Sequence, residues 1–198
     1  MSSTNSGLTL VLASTSRYRR ELLERLKLPF QTAAPEADET PLAGETPATT
    51  AGRLALNKAQ SVLAKYPDSL IIGSDQVAFC GSMRLDKPGD HARALKQLRY
   101  ASGKLVNYIT AVVLLNAGSR HAQTKLVSTE VKFRKLSDAE IARYLEAEPA
   151  YDCAGSAKAE GLGISLVETI VSTDPTALIG LPLIGLSELL RNERVSLP

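Results

Sequence analysis

Two charged residues interrupt apolar patterns, and a lysine and an aspartate so placed could serve the chemistry of phosphate groups. A predicted helix over 47–66 has an apolar face with one gap, at Lys58. The apolar members of that face are Ala51, Leu54, Ala55, Ala59, Val62, Leu63 and Tyr66. Asp75 lies in a predicted strand over 69–80 that is otherwise mostly apolar, where an unpaired carboxylate is costly. The alternatives are a lysine that reaches out from the rim of the core and an aspartate that binds backbone amides at a bulge.

Further charged residues lie next to predicted elements. The run RYRR over 17–20 places three arginines in the first turn of a predicted helix, where positive charge opposes the helix dipole. A bound anion would offset that conflict, and a solvated basic face explains the arginines equally well. Lys87 follows a predicted strand and by itself indicates only a surface loop, whereas 35–46 is an acidic loop. Together these clusters would suit phosphates and a divalent cation.

Alternating strands and helices must position these residues. Strands are predicted over 8–13, 69–80, 105–115, 124–133 and 164–171, and helices over 17–28, 47–66, 91–101, 138–147 and 182–191. Ser16 is the expected N-cap of the first helix, and Pro47 opens the second. Ser137 and Glu140 form a capping box before the fourth helix. This order predicts an α/β protein with a mixed sheet that contains a long antiparallel hairpin.

The bulk composition fits one globular domain over 1–198, with a flexible N-terminus expected over 1–7. Of the 198 residues, 44% are apolar, and the formal net charge of +2 is too small to demand a nucleic-acid partner. The two cysteines lack CxxC spacing and the two histidines lie far apart, so a zinc site is not expected. Because no apolar run approaches about 20 residues and no basic residue precedes the first one, we expect a cytoplasmic protein with neither a membrane span nor a signal peptide.

Seven short motifs, in order from about residue 8 to 193, resemble those of the Maf family. They are ASTSRYRRELL over 13–23, EADE over 36–39, LNKA over 56–59, IGSDQ over 72–76, DKP over 86–88, AGS over 154–156 and GLP over 180–182. Asp86 stands where this family usually has glycine. The resemblance implies a hydrolase acting on acid anhydrides, which converts nucleoside triphosphates to monophosphates and pyrophosphate. It also implies a mixed, elongated sheet flanked by helices, two lobes with a cleft, a divalent metal and a homodimer.

The resemblance also implies roles for individual residues. Ser14 and Arg19 would hold phosphates, and the catalytic cluster would comprise Asp38, Lys58, Asp75 and Lys87. Asp38 and Asp75 would bind the metal, Mg²⁺ or Mn²⁺, with help from either Glu36 or Glu39. The family assigns Asp75 as general base, and a role as metal ligand is an equally reasonable physical interpretation.

Three further positions resemble the specificity residues of the 7-methyl-GTP pyrophosphatase branch of the family: Tyr18, Gln76 and Glu160. This branch often has tryptophan at the first position, whereas the branch acting on dTTP and UTP usually has arginine there. The resemblance therefore implies 7-methyl-GTP as substrate. The nearest alternative is the same chemistry on dTTP, UTP or another non-standard nucleotide such as inosine triphosphate. An alternative from another class is a nucleotide- or DNA-binding regulator without turnover.

Overall fold

The computed structural model describes residues 8–198, in which a seven-stranded mixed sheet is flanked by five α-helices. The strands are β1 Thr9–Ala13, β2 Phe30–Ala33, β3 Ser69–Cys80, β4 Met83–Arg84, β5 Leu105–Asn116, β6 Ala122–Phe133 and β7 Val167–Ser172. The helices are α1 Arg17–Glu24, α2 Pro47–Ser61, α3 His91–Ala101, α4 Asp138–Ala147 and α5 Leu183–Asn192. The flexible terminus predicted over 1–7 lies outside the described residues.

The order of strands in the sheet is β2-β1-β3-β5-β6-β7, with β4 paired to β3. Strand β1 is parallel to β2 and β3, while β3 and β4, and likewise β6 and β7, are antiparallel. Strands β5 and β6 are neighbours joined by the short connection 117–121, which only an antiparallel pair permits. The predicted α/β class with a mixed sheet is therefore confirmed.

Several element boundaries differ from the predictions for local reasons. Helix α1 ends at Glu24 rather than at 28, because Lys27 adopts a positive φ of 55° and Leu28 precedes a proline. Helix α2 ends at Ser61 and gives way to a 3₁₀ turn at Leu63–Lys65. Strand β7 begins at Val167 rather than at 164, because Leu162–Leu166 forms another 3₁₀ segment. The predicted bounds of β3 and α3 are those observed.

Two compact units make up the chain. Of the described residues, the first contains 8–75 together with Thr110–Val127 and Asp174–Pro198, and the second contains Gln76–Ile109 and Ser128–Thr173. The prediction of a single domain stays a prediction. In the part of the chain that the structure describes, no helix is long and apolar enough to cross a membrane.

The core of the first unit lies on one face of β1, β3 and β5. Alternate residues of these strands pack there with leucines of α1 and α5, since successive strand residues point to opposite faces. The main members are Leu10, Leu12, Leu70, Ile72, Val112, Leu114, Leu22, Leu23, Leu186, Leu189 and Leu190. Asp75 has the opposite parity, and so it belongs to the other face, where α2 approaches β3.

Candidate active site

Lys58 and Asp75 form a buried ion pair. Helix α2 starts at Pro47 behind its N-cap Thr46, and its last turn carries Lys58, which is 6% exposed. The Lys58 Nζ donates a hydrogen bond of 2.6 Å to Oδ1 of Asp75, which is 7% exposed. The inward position predicted for Lys58 is thus confirmed, and the aspartate is neutralised by a lysine rather than by backbone amides at a bulge.

Glu39 adds a second carboxylate to this lysine. Its Oε1 lies 2.8 Å from the Lys58 Nζ, while the Glu39 side chain remains 62% exposed. One ammonium group therefore binds two carboxylates, one buried and one in contact with solvent. Of the two glutamates that the sequence could not rank, Glu39 is the one that forms an ion pair with Lys58.

Gly73 allows helix α2 to approach strand β3 closely enough for this pair to form. A Cβ atom at position 73 would collide with the backbone carbonyl oxygen of Ala55 in α2. Glycine at 73 therefore lets the helix backbone lie directly against the strand. Asp75, two residues further along the same face of β3, is then within reach of Lys58, one turn further along α2.

Arg19 is anchored near these charges by a backbone carbonyl. Ser16 caps α1 by accepting a hydrogen bond from the Arg19 amide, and the Arg19 Nε donates to the Gly180 carbonyl at 2.8 Å. The buried Ser74 hydroxyl lies 2.9 Å from the same carbonyl oxygen. Burial lowers the pKa of Arg19, while the charges of Asp75 and Glu39 raise it. The guanidinium is thus held in the field of both carboxylates.

Ser14 and Asp38 make local hydrogen bonds with nearby backbone amides. Ser14 is buried at the end of β1, and its hydroxyl oxygen accepts the Ser16 amide at 3.1 Å. Asp38 is exposed, and its Oδ1 accepts the Thr40 amide at 2.9 Å. Hydrogen bonds from the Thr40 side chain and backbone lower the pKa of Asp38. Within residues 8–198, no group of three or more histidine, cysteine, aspartate or glutamate side chains is arranged to hold a metal ion.

Lys87 belongs to the second unit and is exposed, in the segment between β4 and α3. Two hydrogen bonds hold its neighbours in place. The Gly89 amide donates to the backbone carbonyl of Tyr151, and the Gln97 side chain donates to the Asp86 carbonyl at 2.8 Å. Gln97 also accepts the buried Ser156 hydroxyl, which ties this segment to the AGS motif. The sequence pattern gave no sign of Gln97, since a glutamine in a helix is ordinarily a solvated residue.

The three predicted specificity residues have different surroundings. The guanidinium carbon of Arg17 lies 4.7 Å from the centroid of the Tyr18 ring, and Arg17 also donates to the Tyr18 hydroxyl. Gln76 is half-buried, and strand alternation places it on the face of β3 opposite to Asp75. Glu160 lies at an exposed position of the loop before β7, and partial desolvation of its carboxyl by neighbouring residues is the largest effect that raises its pKa.

Of the predicted residues, Asp75 and Glu39 both pair with Lys58, and Arg19 lies in the field of these two carboxylates. A buried lysine–aspartate pair and an arginine at a strand–helix turn are features with which α/β proteins bind anionic ligands. The comparison with known families gives the particular one: the chain belongs to the Maf family, whose model, described as Maf-like protein, matches residues 9–193.

Relatives named 7-methyl-GTP pyrophosphatase are similar to this chain over nearly its full length. The one from Thiobacillus denitrificans is 55% identical over 192 residues, which cover 97% of this chain and 96% of the relative. The one from Aromatoleum aromaticum is 54% identical over 189 residues, which cover 96% and 97%. The one from Polaromonas is 54% identical over 188 residues, which cover 95% and 86%.

Proposed function

We propose that this protein hydrolyses 7-methyl-GTP to 7-methyl-GMP and pyrophosphate. The observation that carries the proposal is the ion pair of Lys58 with Asp75 and Glu39 beside Arg19, in a chain 55% identical to a protein of that name. Cations that are fixed in place before a triphosphate binds favour its binding. Arg19 and Lys58 are two such cations, each held by a contact within the protein. The finer predictions of a homodimer and of a cytoplasmic location stay predictions.

The cations would stabilise the charge that develops during cleavage between the α- and β-phosphates. Arg19, fixed through Gly180, has terminal nitrogens suited to two phosphate oxygens. Lys58 can exchange its exposed partner Glu39 for a phosphate oxygen while it keeps Asp75. Lys87 would be the third cation. Fixed positive charges favour the leaving pyrophosphate because its charge increases in the transition state.

A divalent metal fits the carboxylates of this site. Mg²⁺ takes one or two protein carboxylates and completes its shell with substrate phosphates and water, so a cage of three protein ligands is not required. Asp75, with Asp38 or Glu39, would hold Mg²⁺ or Mn²⁺. A bound metal would neutralise phosphate charge and lower the pKa of a coordinated water. Asp75 would then act as ligand or orient the attacking water as a base.

Base selection would rest on Tyr18, Gln76 and Glu160. N7 methylation gives guanine a positive ring charge, which favours both an aromatic face and a carboxylate. Because the Arg17 guanidinium is already close to one face of Tyr18, a cationic base would stack on the other face. The Glu160 carboxylate could accept the N1–H and N2–H donors of guanine. Gln76 would contact the base or the pocket wall.

Measuring kcat/KM on a nucleotide panel, with and without Mg²⁺, tests this proposal. We expect 7-methyl-GTP to exceed GTP, dTTP and UTP, with monophosphate and pyrophosphate as the primary products separated by ion exchange. Glu160→Ala should narrow the gap between 7-methyl-GTP and the pyrimidine nucleotides, whereas Glu130→Ala, at an exposed acid of β6, should not. Equal activity on dTTP or UTP, release of orthophosphate, or binding without turnover would each overturn the proposal.

A further inference from the structure

Arg53 of helix α2 and Glu45, which lies just before that helix, form a bidentate pair. The Arg53 Nε and Nη2 donate to the two carboxylate oxygens of Glu45, at 2.5 Å and 2.8 Å. Nη2 also donates to the Thr40 carbonyl at 3.1 Å. Glu45 further accepts the Thr50 hydroxyl and the Leu42 amide. These contacts leave the Arg53 and Glu45 side chains only 22% and 11% exposed.

This network connects helix α2 to the middle and to the C-terminal end of the acidic loop. Thr40 directly follows Glu39, and Glu45 directly precedes the N-cap of α2. Residues 34–46, all of them described, form neither helix nor strand, so their conformation depends on such contacts. The same helix carries Lys58, with which Glu39 of the loop forms an ion pair. Arg53 therefore fixes the loop relative to the lysine that the loop contacts.

We propose that Arg53 and Glu45 are positioning residues, which hold the acidic loop so that Asp38 and Glu39 face the Lys58–Asp75 pair. The planar guanidinium binds both carboxylate oxygens and the Thr40 carbonyl at once, a geometry that a lysine ammonium cannot reproduce. The electrostatic contacts agree, since Arg53 interacts with Asp38 and Asp75 as well as with Glu45. Neither residue of the pair needs to contact substrate.

Steady-state kinetics of Arg53→Lys and Glu45→Gln test this inference. Because it measures turnover, this first test rests on the proposed function. We expect kcat to fall by about 10- to 100-fold with a smaller change in KM, because the loop carboxylates are misplaced while the substrate's main cations remain. The double variant should lose no more than the worse single variant, because both substitutions break one network. Retention of wild-type kcat by Arg53→Lys, or additive losses in the double variant, would overturn the inference.

The matched control is Arg99→Lys. Arg99 makes a similar bidentate pair with Asp138, at 2.7 Å and 3.0 Å, between α3 and α4 of the second unit. We expect this variant to keep wild-type kcat. An equal loss of kcat in the control would show a general effect of breaking such a pair and would overturn the positioning role.

Hydrogen exchange provides a readout that does not depend on turnover. We expect backbone amides over 38–46 to exchange faster in Arg53→Lys than in the wild type or in Arg99→Lys, with the Leu42 amide among them. Unchanged exchange in this loop would overturn the inference. If the wild-type protein hydrolyses no nucleotide, the proposed function fails, while the exchange experiment still decides whether Arg53 holds the loop.

Discussion

Replacement of Lys58 by methionine removes the ammonium group from between Asp75 and Glu39 and keeps an unbranched apolar side chain in its place. The two carboxylates then differ in what they lose. Glu39 is 62% exposed and regains water, whereas Asp75 is 7% exposed and becomes a buried charge without its lysine. The variant therefore tests whether the buried pair is an essential part of the fold as well as of the site.

The expected loss follows from this burial. Removal of one partner of a buried ion pair costs about 3–5 kcal/mol. For a chain of this length, each kcal/mol lowers Tm by about 2–4 °C, so Lys58→Met should lower Tm by roughly 6–20 °C. Adding Asp75→Asn removes the unpaired charge, and the double variant should regain a large part of this loss. The double variant should regain stability without regaining activity, because both variants lack groups proposed for catalysis and should lose about 100-fold or more in kcat.

Thermal unfolding followed by circular dichroism measures the stability, and pyrophosphate release measures the activity. Lys65→Met is the control, because this lysine is exposed in the 3₁₀ turn that follows the same helix. A wild-type Tm in Lys58→Met, or a double variant less stable than the single one, would refute the buried-pair reasoning. Wild-type kcat in a folded Lys58→Met protein would refute the role of the lysine in hydrolysis.

Three further predictions concern other parts of the molecule. Hydrogen bonds lower the pKa of Glu45 from 4.5 to about 2, so its contribution to stability is complete above pH 4.5 and is lost as the pH falls towards 2. In denaturant unfolding, the stability difference between wild type and Glu45→Gln should shrink over that range, and a difference that persists at pH 2 would contradict this. In the same unfolding measurement, Gly73→Ala should lower the free energy of unfolding by about 1–3 kcal/mol, because its methyl group meets the Ala55 carbonyl of α2. Gly52→Ala, at a position of α2 with open space around it, should raise the free energy of unfolding by up to about 1 kcal/mol. Tyr18→Leu should lower the ratio of kcat/KM for 7-methyl-GTP to that for GTP by about 2- to 5-fold, and an unchanged ratio would remove Tyr18 from base selection.

Much of the fold could be predicted because its elements have strong local signals. Strand β3 is an apolar run between Pro67-Asp68 and Gly81, and the predicted and observed bounds agree. Ser16 and Ser137 accept the amide hydrogen bonds that their N-cap positions predict. Boundaries were less certain where proline and a positive φ ended a helix early, as after Glu24.

The candidate site was only partly predictable. Lys58 and Asp75 could be found because each interrupts an apolar pattern, but their pairing depends on how closely α2 approaches β3 at Gly73. The partners of Arg19 and Arg53 gave no such signal. One is a backbone carbonyl, which has no side chain to recognise, and the other lies in a loop without periodicity.

The contact between Arg19 and Gly180 has a consequence for how the protein folds during synthesis. The two residues are 161 positions apart, and Ser74 and the same glycine are 106 apart. Contacts of such separation form late and slowly, because most of the chain must be ordered to close them. Arg19, Lys58 and Asp75 leave the ribosome long before the carbonyl that anchors Arg19 is made. A nascent chain that ends before residue 180 would therefore carry these charged residues with no carbonyl to hold the arginine in place.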